Sequence, residues 1–583
     1  MKKFFTFLIV AMLAFGLFAM TGCRSEETPV TPPPAPPPQQ QGTTPTEQPP
    51  APTPAPPPSD MELLGLDENG RFLETVQLSV LIWNRNNDRQ PDMGESGWAD
   101  HIREVALRDL NIAVTFEEVS RWDEGPMTAT LVGSSSAPDV TFHFGGQAVT
   151  NSWAEMGAIL DLAPLLATYG GLLPDLYDWL GPLVYYDALA NGSVFALPSR
   201  RVELMRQNVF IREDWLNILS IPVPTTLQEF EDALVAFRDN AELLLGPDAD
   251  MMIPLLMDGD AGWALGTVID SFIPDSITER EWFRYGFDDR RIMHPTTKEA
   301  IRVANRWFHM DLMFNEFAYG EAGDLMPGFV REGFVGAQIA NWDMPFRGGG
   351  DLQIVSMREN VGPEANFIAI NPFPNDAGNS IFFLHPQADR RIVIPHTASN
   401  PLASLMYMNL MSRQDMRDFL AFGIEGVHHE VMPDGAIRLF HNDQMPDNFV
   451  ITSANNFDIN FMSNGFELAT PDLTVATLAL GYPGIEPEAI MAARINASIG
   501  RSWRSVTVRP IDAQEGMTVP LREFRDTVLH NTITAPVADF DAVWDNFISQ
   551  YMQMGGQAII NERDQAWVET FGPVDFMPGW TGW

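Results

Sequence analysis

His428, His429 and Glu430 form the one run in this sequence where three groups able to bind a metal or move a proton stand side by side. Neighbouring residues on a strand or helix point in different directions, and the spacing fits no common zinc pattern. The run therefore reads as a loop edging a pocket, and no metal site is expected. Asp67-Glu68-Asn69-Gly70 begins like a calcium loop but lacks the alternating carboxylates and the closing Glu, so it reads as a turn. Signatures of covalent and phosphate chemistry are absent: there is no G-x-S-x-G, no H-E-x-x-H and no G-x-x-x-x-G-K. Cys23 is the only cysteine, which removes a cysteine nucleophile from the body and excludes an intramolecular disulfide or a Cys-rich zinc site. Paired carboxylates for glycoside hydrolysis could exist among 77 acidic residues, but a separation of roughly 5 to 9.5 Å cannot be read from sequence.

The aromatic residues say more. There are 15 Trp, 38 Phe and 9 Tyr, and Trp98 (GESGWAD) and Trp263 (GDAGWAL) sit in polar, glycine-containing stretches and Trp342 (ANWDMPF) between Asn and Asp, rather than in apolar stripes. An indole beside Asp, Asn or Arg offers an apolar face for a sugar ring and polar neighbours for its hydroxyls. Plain core packing is the competing explanation for each.

Such side chains need elements to hold them. Val76 to Trp83 is an apolar run of strand length; Ile112, Val114 and Phe116 alternate in a second strand, and Val140, Phe142 and Phe144 in a third. Ile102, Val105, Ala106 and Leu110 fall at helical spacing between the first two, which predicts a βαβ unit and a parallel sheet. Ligand sites in such sheets lie beyond the C-terminal strand ends, which singles out Asn84 and Arg85, and Gly145-Gly146. Thr226-Leu227-Gln228-Glu229 predicts a capped helix to about Asn240. Asn400-Pro401 opens another. Phe540, Trp544, Phe547, Ile548 and Tyr551 mark an amphipathic helix stopped by Gly555-Gly556. The expected class is α/β.

The first residues bear on compartment. Lys2 and Lys3 precede an apolar run from Phe4 to Met20, then Thr21, Gly22 and Cys23, which predicts a cleaved signal with a lipid anchor on the Cys23 thiol. From Pro29 to Pro58, 15 of 30 residues are proline and Glu47 is the only charge. That composition cannot bury a core and favours extended polyproline II, a stalk reaching up to ~90 Å. A formal net charge of −41 from 36 basic and 77 acidic residues argues against nucleic acid as a partner and against binding to an anionic membrane surface other than through the lipid.

Six ordered segments resemble one known family. They are Gly192 to Ser199 (GSVFALPS, with Phe195 where Tyr is usual), Val209 to Asn240, Phe329 to Trp342 (FVREGFVGAQIANW), Ile392 to Leu410, Gly423 to Glu430 (GIEGVHHE) and Phe540 to Trp567. From about Val76 to Trp567 the chain is similar to the extracellular solute-binding proteins of ABC transporters that include maltose-binding protein, in their long lipoprotein branch. The resemblance implies a two-lobed, type II periplasmic-binding-protein-like fold with a ligand cleft between lobes that close about a hinge. The crossings would lie near Ala196–Arg201 and Arg391–Pro395. It divides the chain into a signal (1–22), a lipidated stalk (23–60), lobe 1 (61–200), lobe 2 (201–390), a return to lobe 1 (391–440) and a segment completing both (441–583).

By position, the resemblance makes Trp342 and Trp263 stacking platforms, puts Phe144 on the rim of lobe 1, and makes Arg200, Arg201, Asp343, His143 and His428 hydrogen-bonding candidates. The implied activity is capture of a carbohydrate and delivery to permease subunits at the extracytoplasmic face, by a monomer without a cofactor. A lipid-anchored carbohydrate-active enzyme and a peptide-binding protein are the alternatives.

Overall fold

The apolar run after Val76 forms β1 (Val76–Asn84). Leu78 and Val80 point opposite to Leu81 and Trp83 somewhere along the pleat, and all are buried; a strand covered on both faces has no polar side to alternate with. The computed structural model describes residues 60–84, 93–121, 123–189, 191–257, 261–287, 291–315, 322–347, 353–375, 378, 382–447, 459–482, 484–501, 506, 508–514 and 516–579. Arg85, Cys23, the signal and the proline-rich stretch lie outside the described residues. Pro58–Trp583 is one compact unit.

After β1, Ser96 starts α1 (Gly97–Leu110) by accepting the Ala99 N–H on its Oγ at 3.3 Å, and Asn111 ends it in the left-handed region at φ 57°. Then β2 (Ile112–Ser120) runs parallel to β1 in unbroken register from Val76–Ile112 to Asn84–Ser120, as the βαβ pattern requires. The chain continues through β3 (Thr141–His143), α2 (Gly146–Glu155), β4 (Leu197–Arg201), β5 (Gln207–Arg212), α3 (Leu227–Asp239), β6 (Ile253–Met257), α4 (Thr297–His309), β7 (Val335–Asn341) and β8 (Phe367–Ile370). It closes with β9 (Ala388–Val393), α5 (Pro401–Ser412), β10 (Ser463–Asn464), α6 (Pro487–Ser498), α7 (Thr518–Thr534), α8 (Phe540–Tyr551) and α9 (Gln557–Phe571).

These strands make two sheets. In lobe 1, β3, β9, β4 and β10 lie side by side, and β1 joins them next to β3 through Leu81 N–H to Val140 C=O at 2.9 Å. In lobe 2 the order is β6-β7-β5-β8, with β6 parallel to β7 and β5 antiparallel to both neighbours. Period-two alternation splits β5: Val209 and Ile211 face the core formed with α3, α4 and α7 to α9, and Phe210 faces the other way, into the core that continues toward lobe 1. The capped starts at Thr226 and Asn400 are as the sequence predicts, with Glu229 N–H on Thr226 Oγ1 at 3.2 Å and Ala403 N–H on Asn400 Oδ1 at 3.0 Å.

Two expectations shift. Ala196–Arg201 and Arg391–Pro395 do not carry the chain between lobes: β4 and β9 pair within lobe 1, and the linking peptides are 202–206 and 384–387. A third link follows β10. The three run together, with His385 N–H on Leu204 C=O at 2.9 Å and Val202 N–H on Asn464 C=O at 2.9 Å. Asp389 ties them by pairing with Arg201 and accepting from Asn464 Nδ2 at 3.0 Å. Nor does Gly555-Gly556 stop the last amphipathic helix. Met552–Gly556 makes a single π-helical turn with Gly555 at φ 142°, and α9 continues from Gln557; glycine admits that φ and the wider turn re-aims the helix.

Candidate functional site

The C-terminal ends of β1 and β3 bring aromatic and polar groups together where the parallel sheet predicts them. Trp83 stacks on Phe144 with centroids 4.8 Å apart, and the Arg121 guanidinium lies 4.6 Å from the centroid of each ring. Asn84 closes β1 and donates from Nδ2 to Glu118 Oε2 at 2.6 Å. Glu124 accepts the Phe144 N–H at 3.0 Å, while its burial pushes the carboxyl above the usual range.

Beyond Phe144 the chain turns directly into α2. Gly145 stands at its N-cap without a side-chain cap, and Gly146 has φ 64°. The first amides of a helix have no partner within it, and Gly145 has no side chain to cap those of α2. His143 sets this turn in place: its Nδ1 accepts the Gly145 N–H at 3.0 Å, and its Nε2 lies 3.2 Å from Thr150 Oγ1, which donates to Gly146 C=O at 3.1 Å. Burial, reinforced by Arg391 across the sheet, holds the imidazole neutral with its pKa lowered to about 3. His143 is therefore a core residue supporting α2, and both its ring nitrogens are engaged within the chain.

Facing α2 is lobe 2. A cavity of about 260 Å³ separates them, with Gly145, Gly146, Gln147, Asn151 and Ser152 on one wall and Phe283, Phe287, Pro510, Gln514 and Arg563 on the other. Arg563 stands on α9, 3.9 Å over the Phe283 ring, donating from Nε to Phe283 C=O at 2.7 Å and from Nη1 to Gln514 Oε1 at 3.4 Å. Burial lowers its pKa below the usual guanidinium value, and among the described residues no carboxylate offsets it. Arg509 beside it is neutralised by Glu562 and Glu569. None of these lobe 2 residues carries a sequence signal: they lie more than a hundred positions from α2, and only the fold brings them opposite it.

Nearer the links, Trp263 is half-buried, with the Arg206 guanidinium 4.4 Å from its centroid and the His385 ring 5.7 Å away at 21°. Trp342 is 7 % exposed and meets Tyr482 edge-on at 6.4 Å. Asp343 is closed off by Tyr482 Oη at 2.7 Å and Arg347 Nε at 2.7 Å. Arg201 is held by Asp389. Arg200 pairs with Glu467 at 2.7 Å and covers Trp179 at 4.4 Å on the wall of a different cavity, of about 620 Å³. His428 is fully buried in lobe 1, accepting the Ile424 N–H on Nδ1 at 2.9 Å and packing 5.3 Å from Trp98, itself buried. The structure thus brings Asn84 and Phe144 to the strand ends and Trp263 to the links, and it places His143 and His428 inside the core, where each is buried and accepts a backbone N–H on Nδ1, from Gly145 and Ile424 respectively. Asp67 makes an Asx turn, accepting from Asn69 and Arg71 N–H at 2.9 Å each. Among the described residues no cluster of three or more His, Cys, Asp or Glu could hold a metal, and no helix is long and apolar enough to cross a membrane.

No protein-family model matches the chain, and neither does any curated protein. Solved structures do. The alginate-binding protein AlgQ2 superposes with a TM-score of 0.62 at 15 % identity, over 85 % of this chain and 98 % of the other. An HMO-binding, ABC-transporter-associated solute-binding protein from Bifidobacterium longum infantis gives 0.59 at 16 %, over 85 % and 99 %. FusA, an ABC-transporter substrate-binding protein of S. pneumoniae in complex with kestose, gives 0.58 at 12 %, again over 85 % and 99 %. This chain has the two-lobed α/β fold of these solute-binding proteins.

Proposed function

We propose that this protein is the substrate-binding component of an ABC import system, capturing an oligosaccharide between its lobes and passing it intact to permease subunits. One observation carries this reading: a cavity walled by α2 of lobe 1 and by α9 and its neighbours of lobe 2, in a fold whose parts are joined by three parallel links able to bend together. The three compared proteins bind, by their descriptions, alginate, HMO and kestose, which supports a carbohydrate as the class of ligand. Lipid on Cys23 would hold the body at the extracytoplasmic face, the proline-rich stretch would set its reach, and the protein would act as a monomer without a cofactor.

Within the cleft, Trp263 is the proposed stacking platform, with Asn84 and Phe144 on the facing rim. Trp342 and Asp343 shape the wall behind them, and Arg200 and Arg201 act through the links. Binding to the native state alone raises the melting temperature, so a panel of oligosaccharides measured by thermal shift and calorimetry tests the reading. Binding should leave the glycan uncleaved on chromatography; released fragments would make the protein an enzyme instead.

A further inference from the structure

Trp263, the proposed platform, belongs by chain to lobe 2, in the short helix Ala261–Ala264, and part of its indole meets solvent. Its ring is nevertheless held from the links. Arg206 ends the first link, is buried, and sets its guanidinium 4.4 Å from the Trp263 centroid. The Arg206 carbonyl accepts the Trp342 N–H at 3.2 Å, so one residue stands between the two tryptophans. Gln207, the first residue of β5, donates from Nε2 to Trp263 C=O. From the second link His385 lays its ring along Trp263, centroids 5.7 Å apart at 21°, and its N–H on Leu204 C=O fastens that link to the first. Gly266 completes the fit: a Cβ there would lie 2.6 Å from Gln207 Oε1 and 3.5 Å from Arg206 Nη2, so any side chain would displace the amide that holds Trp263.

We infer that Arg206 is the positioning residue of the glycan platform, holding the Trp263 indole against the links so that its place follows the hinge and not lobe 2 alone. A guanidinium partly withdrawn from water is attracted to the face of an indole, and its planar group stacks there as an ammonium does not. When the links bend, Arg206 and His385 carry the ring with them. A sugar stacked on Trp263 then meets a different surface in the open and the closed protein, and a ligand shifts an equilibrium by its difference in affinity for the two states. Stacking and closure are thereby one equilibrium, with Arg206 as the joint. This rests on glycan capture with Trp263 as the platform, as proposed above, and adds the residue that couples the platform to the hinge.

The test is a double-mutant cycle on the full chain, read by calorimetry with kestose, an alginate trisaccharide and lacto-N-tetraose. Arg206→Gln should bind about 3- to 30-fold more weakly than the native protein, and Arg206→Lys should fall between them. On a Trp263→Ala background Arg206→Gln should change affinity no further, because its effect passes through the ring. Small-angle scattering reads the hinge: saturating sugar should compact the native protein, and Arg206→Gln should lose part of that compaction. Thermal melts establish that the variants fold; should Arg206→Gln not fold, Arg206→Lys carries both readouts. A loss of affinity that persists in full without Trp263, or compaction as complete in the variant as in the native protein, overturns the positioning role and leaves glycan capture standing. A native protein that binds none of the three sugars overturns both.

Discussion

Near the links, charged side chains meet counter-charges within the chain: Asp343 has Arg347 and the Tyr482 hydroxyl, and Arg201 has Asp389. At the cavity between α2 and α9, Arg563 is held instead by the Phe283 carbonyl, the Gln514 amide oxygen and the Phe283 ring, with no ion pair among the described residues. Both places carry arginine and aromatic rings, so residue type alone would rank them equally. What separates them is the kind of partner each charge has. Ion pairs within the chain hold the links in register, whereas Arg563 is held by neutral acceptors and a ring.

That contrast can be broken first at Asp389, whose carboxylate serves Arg201 and Asn464 and lies 3.6 Å from the fully buried Arg390. Asp389→Ala should cost about 3–5 kcal/mol in urea unfolding, because it strands buried guanidinium groups. An effect within error would mean that the hinge end does not depend on internal pairing. Trp342→Ala should likewise lose about 3–5 kcal/mol of stability, as removal of a buried indole does. Trp263→Ala, by contrast, should weaken glycan binding by about 1–3 kcal/mol, with the smaller change in melting temperature of the two. If the two tryptophan variants exchange these signatures, the platform is Trp342.

Acid offers a gentler probe. His143 in lobe 1 and His294 in lobe 2 are held neutral by burial and by Arg391 and Arg291 respectively, with pKa values lowered to about 3 and about 4. Below pH ~6.5 the unfolded chain protonates these rings while the native one does not, so stability falls as pH drops from ~6.5 toward those values. The slope is about 1.4 kcal/mol per pH unit for each ring. His143→Gln should flatten the curve by one ring's share in calorimetric melts across that range. Glu467→Gln, at a half-exposed pair, should change stability by no more than about 1 kcal/mol.

Much of this frame was legible beforehand. β1, α1 and β2 follow from hydrophobic period, because local pattern dictates local structure, and the strand-end rule singled out Asn84 and Gly145-Gly146, which lie at the ends of β1 and β3. The helix stop at Gly555 was misread since a glycine pair serves equally to end a helix or to pass a wide turn, and only packing against α7 decides. His143 and His428 were singled out by the positions the resemblance gives them; what makes them core residues is burial by segments far away in sequence. Arg563 gave no signal at all. An arginine on an amphipathic helix is ordinary until a second helix, four hundred residues earlier, is found across from it.

The three parallel links have a consequence for how this chain comes into being. Lobe 1 needs β10, at residues 463–464, to finish its sheet, and lobe 2 needs α9, ending at Phe571, to cover its core. During synthesis neither half can complete itself while the other waits, and contacts of such long sequence separation form slowly. A chain cut short before α9 should therefore yield no stable half-molecule, and the nascent protein must stay soluble as an open intermediate until nearly its last residue has emerged.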